Sequence, residues 1–119
     1  MEDLSPDLFS GLDRYHDKPE ILKAILVQLE KDTGLDYTSA PADPGSPEFL
    51  GMLRKDLAQH LKKISGQNQT RFMHLIYRVD ISQSKLNKLE MDEFYFNELA
   101  ELVLNRLFQK VITRRFFKP

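Results

Sequence analysis

The 119-residue chain contains no cysteine, and this absence removes several kinds of chemistry at once. Disulfide bonds, thiolate zinc sites, iron–sulfur clusters and cysteine nucleophiles are all excluded. No apolar run approaches the roughly 20 residues that a membrane-spanning helix requires. The opening residues Met1-Glu2-Asp3-Leu4 are acidic and lack the order of a signal peptide. We therefore expect a cytoplasmic protein that has no membrane partner.

Familiar catalytic motifs are also missing from the sequence. The five glycines are scattered and never adopt the spacing of a phosphate-binding loop, and neither HExxH nor GxSxG occurs. The three histidines, His16, His60 and His74, are far apart along the chain. We predict no catalytic residue, no cofactor and no metal ligand. A non-enzymatic protein is favoured, although a pocket with perturbed carboxylates or histidines would not be visible in a sequence.

The residues that are present indicate a helical domain. The hydrophobic fraction is 41% and the charged fraction 29%, values that are ordinary for a globular protein. Apolar residues recur at helical spacing, and no run alternates as a strand would. The sequence therefore predicts one all-α domain over residues 1–119. We expect a bundle of four to five helices around a long, centrally packed C-terminal helix.

Proline and glycine mark the first two predicted helices and the loop after them. A short helix is expected from Ser5-Pro6 to His16. Asp17-Lys18-Pro19-Glu20 should open a second helix, which has Lys31 in its last turn and Gly34 as its stop. Residues 35–46 contain Pro41, Pro44 and Gly45, which block regular structure. We predict a flexible loop there, either a plain connector or a functional segment.

The middle of the chain predicts three further helical segments. A Ser46-Pro47 opening and a Gly66 stop bound the first of these, which has one apolar stripe: Leu50, Leu53, Leu57, Leu61 and Ile64. Thr70 is the expected cap of the next helix, which would bury Phe72, Met73, Leu75, Ile76 and Val79. A break at 79–82 and a short helical turn over 82–89 should follow.

The last predicted helix runs from Asp92 to about Phe117 without a glycine or a proline. It is apolar around most of its circumference and ends with Phe116 and Phe117. Such aromatic side chains need a cover, either from the bundle itself or from a second copy of the chain. We therefore weigh a homodimer evenly against a monomer.

Basic residues share the apolar face of this last helix. Arg106, Lys110 and Arg114 are spaced four apart and lie on the same side as Val103 and Leu107. Three interpretations are open: the end of the helix projects into water, the cations are semi-buried and pair with carboxylates from elsewhere in the chain, or they bind an anionic ligand or an acidic partner. Asp80, at the helix break between Val79 and Ile81, is the expected carboxylate partner. Asp80, Arg106, Lys110 and Arg114 are accordingly the predicted polar network or anion site.

Charge is unevenly distributed along the chain. Residues 1–60 carry a net charge of −6 and residues 61–119 a net charge of +5. Arg71, His74 and Arg78 form one polar edge of a helix, and with Arg115 they define a predicted basic surface. This surface supports an alternative function, the binding of anions or nucleic acid. The turn at 79–82 could even belong to a helix-turn-helix motif, but the domain is not basic overall.

Two stretches of the sequence resemble a group of small bacterial proteins of unknown function. They are Leu75-Ile76-Tyr77-Arg78-Val79-Asp80-Ile81-Ser82 and residues 98–111, ELAELVLNRLFQKV. The resemblance implies a small all-helical protein and assigns no role to any residue. We expect a protein–protein interaction or structural module whose partner is another protein or a second copy of the chain.

Overall fold

The computed structural model describes residues 19–35 and 48–116, and within these ranges it contains five α-helices and no strand. The helices are α1 (Pro19–Thr33), α2 (Phe49–Gln67), α3 (Gln69–Val79), α4 (Gln83–Asn87) and α5 (Tyr95–Phe116). The predicted all-α bundle with a long last helix is confirmed. The helix expected over residues 5–16, residues 36–46 of the expected loop, and Phe117 lie outside the described residues.

Helix α5 forms the centre of the bundle because it is apolar on more than one side. Its fully buried residues are Leu99, Ala100, Val103, Leu104, Leu107 and Phe108. Helices α1, α2 and α3 pack against it and contribute to one hydrophobic core. The leucine stripe predicted for α2 is buried along its whole length, from Leu50 to Ile64. None of the described helices has the length and apolar composition needed to cross a membrane.

Contacts along α5 fix the directions of its neighbours. Phe72 of α3 meets Phe96 near the start of α5, with ring centroids 6.4 Å apart. The end of α3 meets Lys110, which lies more than three turns further along α5. Helix α3 therefore runs parallel to α5. Helix α1 runs antiparallel to it, because Asp32 contacts Lys110 whereas the earlier residue Gln28 contacts Arg114.

Helix α1 ends as the sequence predicts. Gly34 has a φ of 78°, a conformation that glycine adopts without steric cost, and its N–H donates to the carbonyl of Glu30. One apolar residue of α1, Val27, is 58% exposed.

A single asparagine joins α2 to α3, and two predicted boundaries are wrong there. Helix α2 passes through Gly66 and ends at Gln67, since Asn68 is its C-cap. Asn68 is also the N-cap of α3: its Oδ1 accepts from the N–H of Arg71 at 3.0 Å. Thr70 therefore lies inside α3 and does not cap it. Asparagine can do this because its side chain replaces the missing backbone acceptor of a first turn.

Helix α3 buries four of the five predicted residues, Phe72, Leu75, Ile76 and Val79. The prediction was wrong for Met73, which is 51% exposed. Met73 lines a recess between α3 and α4. Helix α4 has the predicted position, and Ser82 caps it by accepting from the N–H of Lys85.

Helix α5 begins three residues later than predicted. Asp92 does not open the helix but closes a turn before it, because its Oδ1 accepts from the N–H of Phe94 at 2.9 Å. The backbone carbonyl of Asp92 also accepts from the N–H of Tyr95, the first residue of α5. Aspartate favours such turns because its short side chain reaches the backbone two residues on.

Candidate interaction surface and polar cluster

Helix α3 ends at Asp80, which adopts a left-handed conformation with a φ of 70°. Its N–H donates to the carbonyl of Ile76 and so closes the last turn. Aspartate tolerates this conformation better than most residues. The turn leaves the later carbonyls of α3, and the backbone carbonyl of Asp80 itself, without partners inside the helix.

Arg106 of α5 binds Asp80 through both the backbone and the side chain. Its Nε donates to the backbone carbonyl at 3.0 Å and its Nη2 donates to Oδ2 at 3.2 Å. Its Nη1 lies 3.4 Å from Oε1 of Gln109 on the next turn. The pair lies at the surface, since the side chain of Asp80 is 74% exposed.

Lys110, one turn further along α5, makes the same two kinds of contact in a more buried place. Its Nζ lies 2.5 Å from Oδ2 of Asp32 and 3.3 Å from the backbone carbonyl of Arg78. The side chains of Lys110 and Asp32 are only 18% and 10% exposed. Asp32 is in the last turn of α1 and Arg78 is in the last turn of α3. Lys110 therefore places one positive charge between two helix C-termini, where a cation is stabilising.

Two further hydrogen bonds extend the arrangement along α1. Gln28 donates from Nε2 to Oδ1 of Asp32 at 3.1 Å. Its Oε1 accepts from Nη2 of Arg114 at 2.8 Å. Both oxygens of the Asp32 carboxylate are thus bonded, which offsets the cost of burying its charge. These side chains form two neighbouring bonded groups, one of Gln28, Asp32, Lys110 and Arg114 and one of Asp80 and Arg106. We call the two groups together the polar cluster.

The structure places the four residues predicted as a polar network along one side of α5 and at the end of α3. Asp80 pairs with Arg106, whereas Lys110 and Arg114 have partners that the prediction missed, Asp32 and Gln28. A signal for these partners was present in the sequence. Ile21, Ile25, Gln28 and Asp32 follow one helical stripe, so the two polar residues continue a buried face.

The structure favours the paired interpretation of the α5 cations over the other two. A shallow recess does lie above them, lined by Arg106, Gln109, Lys110, Thr113 and Arg114. The terminal nitrogens of the three cations, however, already contact Asp80, Asp32 and Gln28. An anion would have to compete with these contacts. No group of residues suited to hold a metal occurs within the described ranges.

The predicted basic edge of α3 faces solvent. Arg71, His74 and Arg78 are all exposed, as expected for residues three and four apart on an outer face. The side chain of Arg115 lies outside the described residues. The helix-turn-helix hypothesis finds little support, because α4 spans five residues and offers only one turn to a groove of DNA.

Apolar side chains lie beside this edge of α3. Met73 was predicted to be buried, and Tyr77 was not assigned to any site. Met73 is half exposed and Tyr77, four residues later on the same flank, is 87% exposed. Ile81 and Leu86 continue the apolar area onto α4, where they are partly buried. All four line one recess between the two helices, together with His74, Ile76, Asp80, Ser82 and Gln83. We call this recess the α3–α4 surface.

No protein-family description, curated protein or solved structure significantly matches this chain. The resemblance of residues 75–82 and 98–111 to small bacterial proteins therefore stays a prediction, and a functional hypothesis rests on the geometry alone.

Proposed function

We propose that this protein is a small helical module that binds another protein through the α3–α4 surface. The exposure of Tyr77 and Met73 carries the proposal. Both side chains lie next to apolar residues of α4, so they form a continuous patch rather than isolated surface hydrophobes. Burying such a patch against a partner would release about 25 cal/mol for each Å² of apolar area.

The chemistry of the exposed residues suits a protein partner. Tyrosine and methionine are enriched at the centres of protein interfaces, and tyrosine in particular contributes a large share of binding energy. The long, unbranched side chain of Met73 can adapt its shape to a partner. The arginines beside the patch, Arg71 and Arg78, would form the polar rim that surrounds the core of most interfaces.

Binding of nucleic acid is the weaker alternative. It would use Arg71, Arg78, Lys110, Arg114 and Arg115 against phosphate groups. The internal contacts of Lys110 and Arg114 reduce the positive charge that these residues can offer to a polyanion. A patch that contains Met73, Tyr77 and Leu86 also offers more to an apolar partner than to a phosphate backbone.

The test compares two variants of the full chain in which an exposed residue is replaced by aspartate. Each variant and the wild type are expressed with an affinity tag in the organism that encodes the protein. Tyr77→Asp places a charge in the α3–α4 surface, and Val27→Asp places the same charge on an exposed part of α1. Both positions are exposed, so both variants should fold, and circular dichroism checks this. Proteins that copurify with the wild type are then quantified by mass spectrometry.

We expect at least one protein that copurifies in stoichiometric amount with the wild type and with Val27→Asp but is lost with Tyr77→Asp. The same set of proteins with all three forms would contradict the proposal, as would the absence of any stoichiometric partner. Untagged protein is expressed beside the tagged protein in the same experiment. If the chain associates with itself, the untagged form copurifies with the tagged one.

A further inference from the structure

We infer that a recess between α4 and α5 binds a small anion that carries a carboxylate or a phosphate group. The recess shares Ile81 and Ser82 with the α3–α4 surface, but its other lining residues are different. The inference goes beyond the proposed function and does not depend on it. It depends on the size of the recess, on the charges that line it and on hydrogen-bond donors that the fold does not use.

The recess has room for a small molecule only. Its volume is about 160 Å³. A protein cavity of about 150 Å³ accommodates benzene, so the recess has space for a ligand of about six heavy atoms. Ile81 and Leu102 contribute apolar side chains to the lining, and the other lining residues are polar or charged. A short organic acid or a phosphate group fits this space, whereas a nucleotide does not.

Both charged residues that line the recess are cations, Lys85 of α4 and Arg106 of α5. Asp80 contacts Arg106 at 3.2 Å but is not part of the lining. Its side chain is 74% exposed, so water screens the influence of its charge on the recess. An anion in the recess therefore lies between two positive side chains.

The carboxylates of the neighbouring segments do not line the recess. Glu98 and Glu101 of α5 line a different recess beside α2, where Glu101 pairs with Arg54. Glu90 and Glu93, between α4 and α5, are exposed and also lie outside the lining. No acidic residue of the described ranges therefore occupies the place that we assign to an anion.

Arg106 keeps donors for an anion while it binds Asp80. A guanidinium has five N–H groups. Nε and Nη2 each donate to Asp80, and Nη1 donates to Oε1 of Gln109. One N–H remains on each terminal nitrogen, and two oxygens of a carboxylate or a phosphate accept such a pair well. Anion binding thus requires no loss of the contact with Asp80.

Two side-chain amides of α5 add further donors to the lining. Asn105 is half-buried, and its amide has no hydrogen-bond partner among the described residues. Gln109 accepts from Arg106 through Oε1, and its NH₂ group likewise has no partner within the described part of the chain. Hydrogen bonds from such amides to a charged oxygen are stronger than those to a neutral one. The amides therefore favour an anion over a neutral ligand.

The experiment titrates the ¹⁵N-labelled full chain with inorganic phosphate, with propionate and with chloride at constant ionic strength. Phosphate and propionate are similar in size and represent the two sources of the charged group. The side-chain amide signals of Asn105 and Gln109 report binding by nuclear magnetic resonance. The same titrations are repeated with Asn105→Ala, Lys85→Gln and Thr113→Ala. Thr113 lines the other recess of α5 and provides the matched control.

We expect saturable shifts of both amide signals with phosphate or propionate, with a Kd on the order of 1–10 mM, and no such shifts with chloride. Asn105→Ala should weaken binding about tenfold, followed at Gln109, because it removes a hydrogen bond to a charged group. It should leave the unfolding free energy unchanged, since the amide has no partner in the described protein. Lys85→Gln should also weaken binding, and Thr113→Ala should bind like the wild type.

The other results are equally informative. A response to only one of the two anions supports the inference and identifies the charged group. Shifts that do not saturate, or that chloride reproduces, would overturn it. Binding that is unaffected by Asn105→Ala but lost with Thr113→Ala would also overturn it, because the anion would then occupy the recess beside Lys110 and Arg114.

Discussion

Arg106 and Lys110 lie one turn apart on α5 and make the same pair of contacts, yet their surroundings differ. Each donates to one carboxylate and to one backbone carbonyl at the end of α3. The side chain of Asp80, which Arg106 contacts, is 74% exposed, whereas the side chain of Asp32, which Lys110 contacts, is 10% exposed. Water can replace the lost partner at Asp80 but not at Asp32. Similar contacts should therefore contribute very differently to stability.

The same contrast separates the two basic regions of the molecule. The cations of α5 in the polar cluster are engaged by Asp32, Asp80 and Gln28 within the protein. The cations of α3 and α4 face solvent. Basic residues of this sequence therefore occupy two different surroundings, and the net charge of the chain does not distinguish them.

The largest effect is expected from Lys110→Ala. It leaves the Asp32 carboxylate buried without its cation, which should lower the free energy of unfolding by about 3 kcal/mol, the lower end of the cost of breaking a buried pair from one side. Urea unfolding followed by circular dichroism measures this loss. The double variant Asp32→Leu/Lys110→Met removes both charges and should recover most of the stability. Wild-type stability in Lys110→Ala would contradict the assigned role of the pair.

A smaller effect is expected at the exposed pair. Arg106→Ala should cost about 1 kcal/mol of unfolding free energy, the usual contribution of a surface ion pair with its hydrogen bonds. Arg106→Leu keeps apolar contact with the bundle and should cost less than Arg106→Ala. Chemical denaturation of both variants checks this order, and a loss at Arg106 equal to that at Lys110 would remove the contrast between the two sites.

The opposite end of α3 provides a comparison without any charge. Asn68→Ala removes the side-chain N-cap of that helix and should cost about 1 kcal/mol. Thr70→Ala, two residues later and inside the helix, should change the unfolding free energy by less than about 0.5 kcal/mol. Thermal unfolding of the two variants side by side measures the difference. An equal or larger loss for Thr70→Ala would show that the cap has been placed at the wrong residue.

The smallest effect on stability is expected in the α3–α4 surface. Tyr77→Ala should change the unfolding free energy by less than about 0.5 kcal/mol, because the side chain is exposed and contributes little to the core. The same variant should lose partner binding entirely. A loss of several kcal/mol in the unfolding experiment would show that Tyr77 supports the fold, and the surface would then need another explanation.

Much of the fold could be predicted from the sequence because it follows local rules. The leucine stripe of α2, the Gly34 stop of α1 and the central position of α5 come from periodicity and from residues with special backbone preferences. The errors concern choices between neighbouring residues, such as Asn68 or Thr70 as the cap. Each of these residue types can cap a helix, and only the path of the chain decides which one does.

The candidate sites were less predictable because they depend on distant contacts. The stripe position of Arg106 and Lys110 made pairing one of three interpretations, and Asp80 could be named as a partner because it follows a helix break. Asp32 is 78 residues from Lys110 in sequence, and nothing local indicates that they meet. Met73 fits the apolar spacing of α3, and this spacing alone does not show that the residue is 51% exposed.

The most direct test of this account is a pair of double-mutant cycles measured by urea unfolding. One cycle uses Asp32→Leu and Lys110→Met, and the other uses Asp80→Ser and Arg106→Leu. We predict a coupling energy of about 2 kcal/mol or more for the first pair and less than about 1 kcal/mol for the second. Equal coupling energies, or a larger value for the exposed pair, would contradict the claim that burial separates the two contacts.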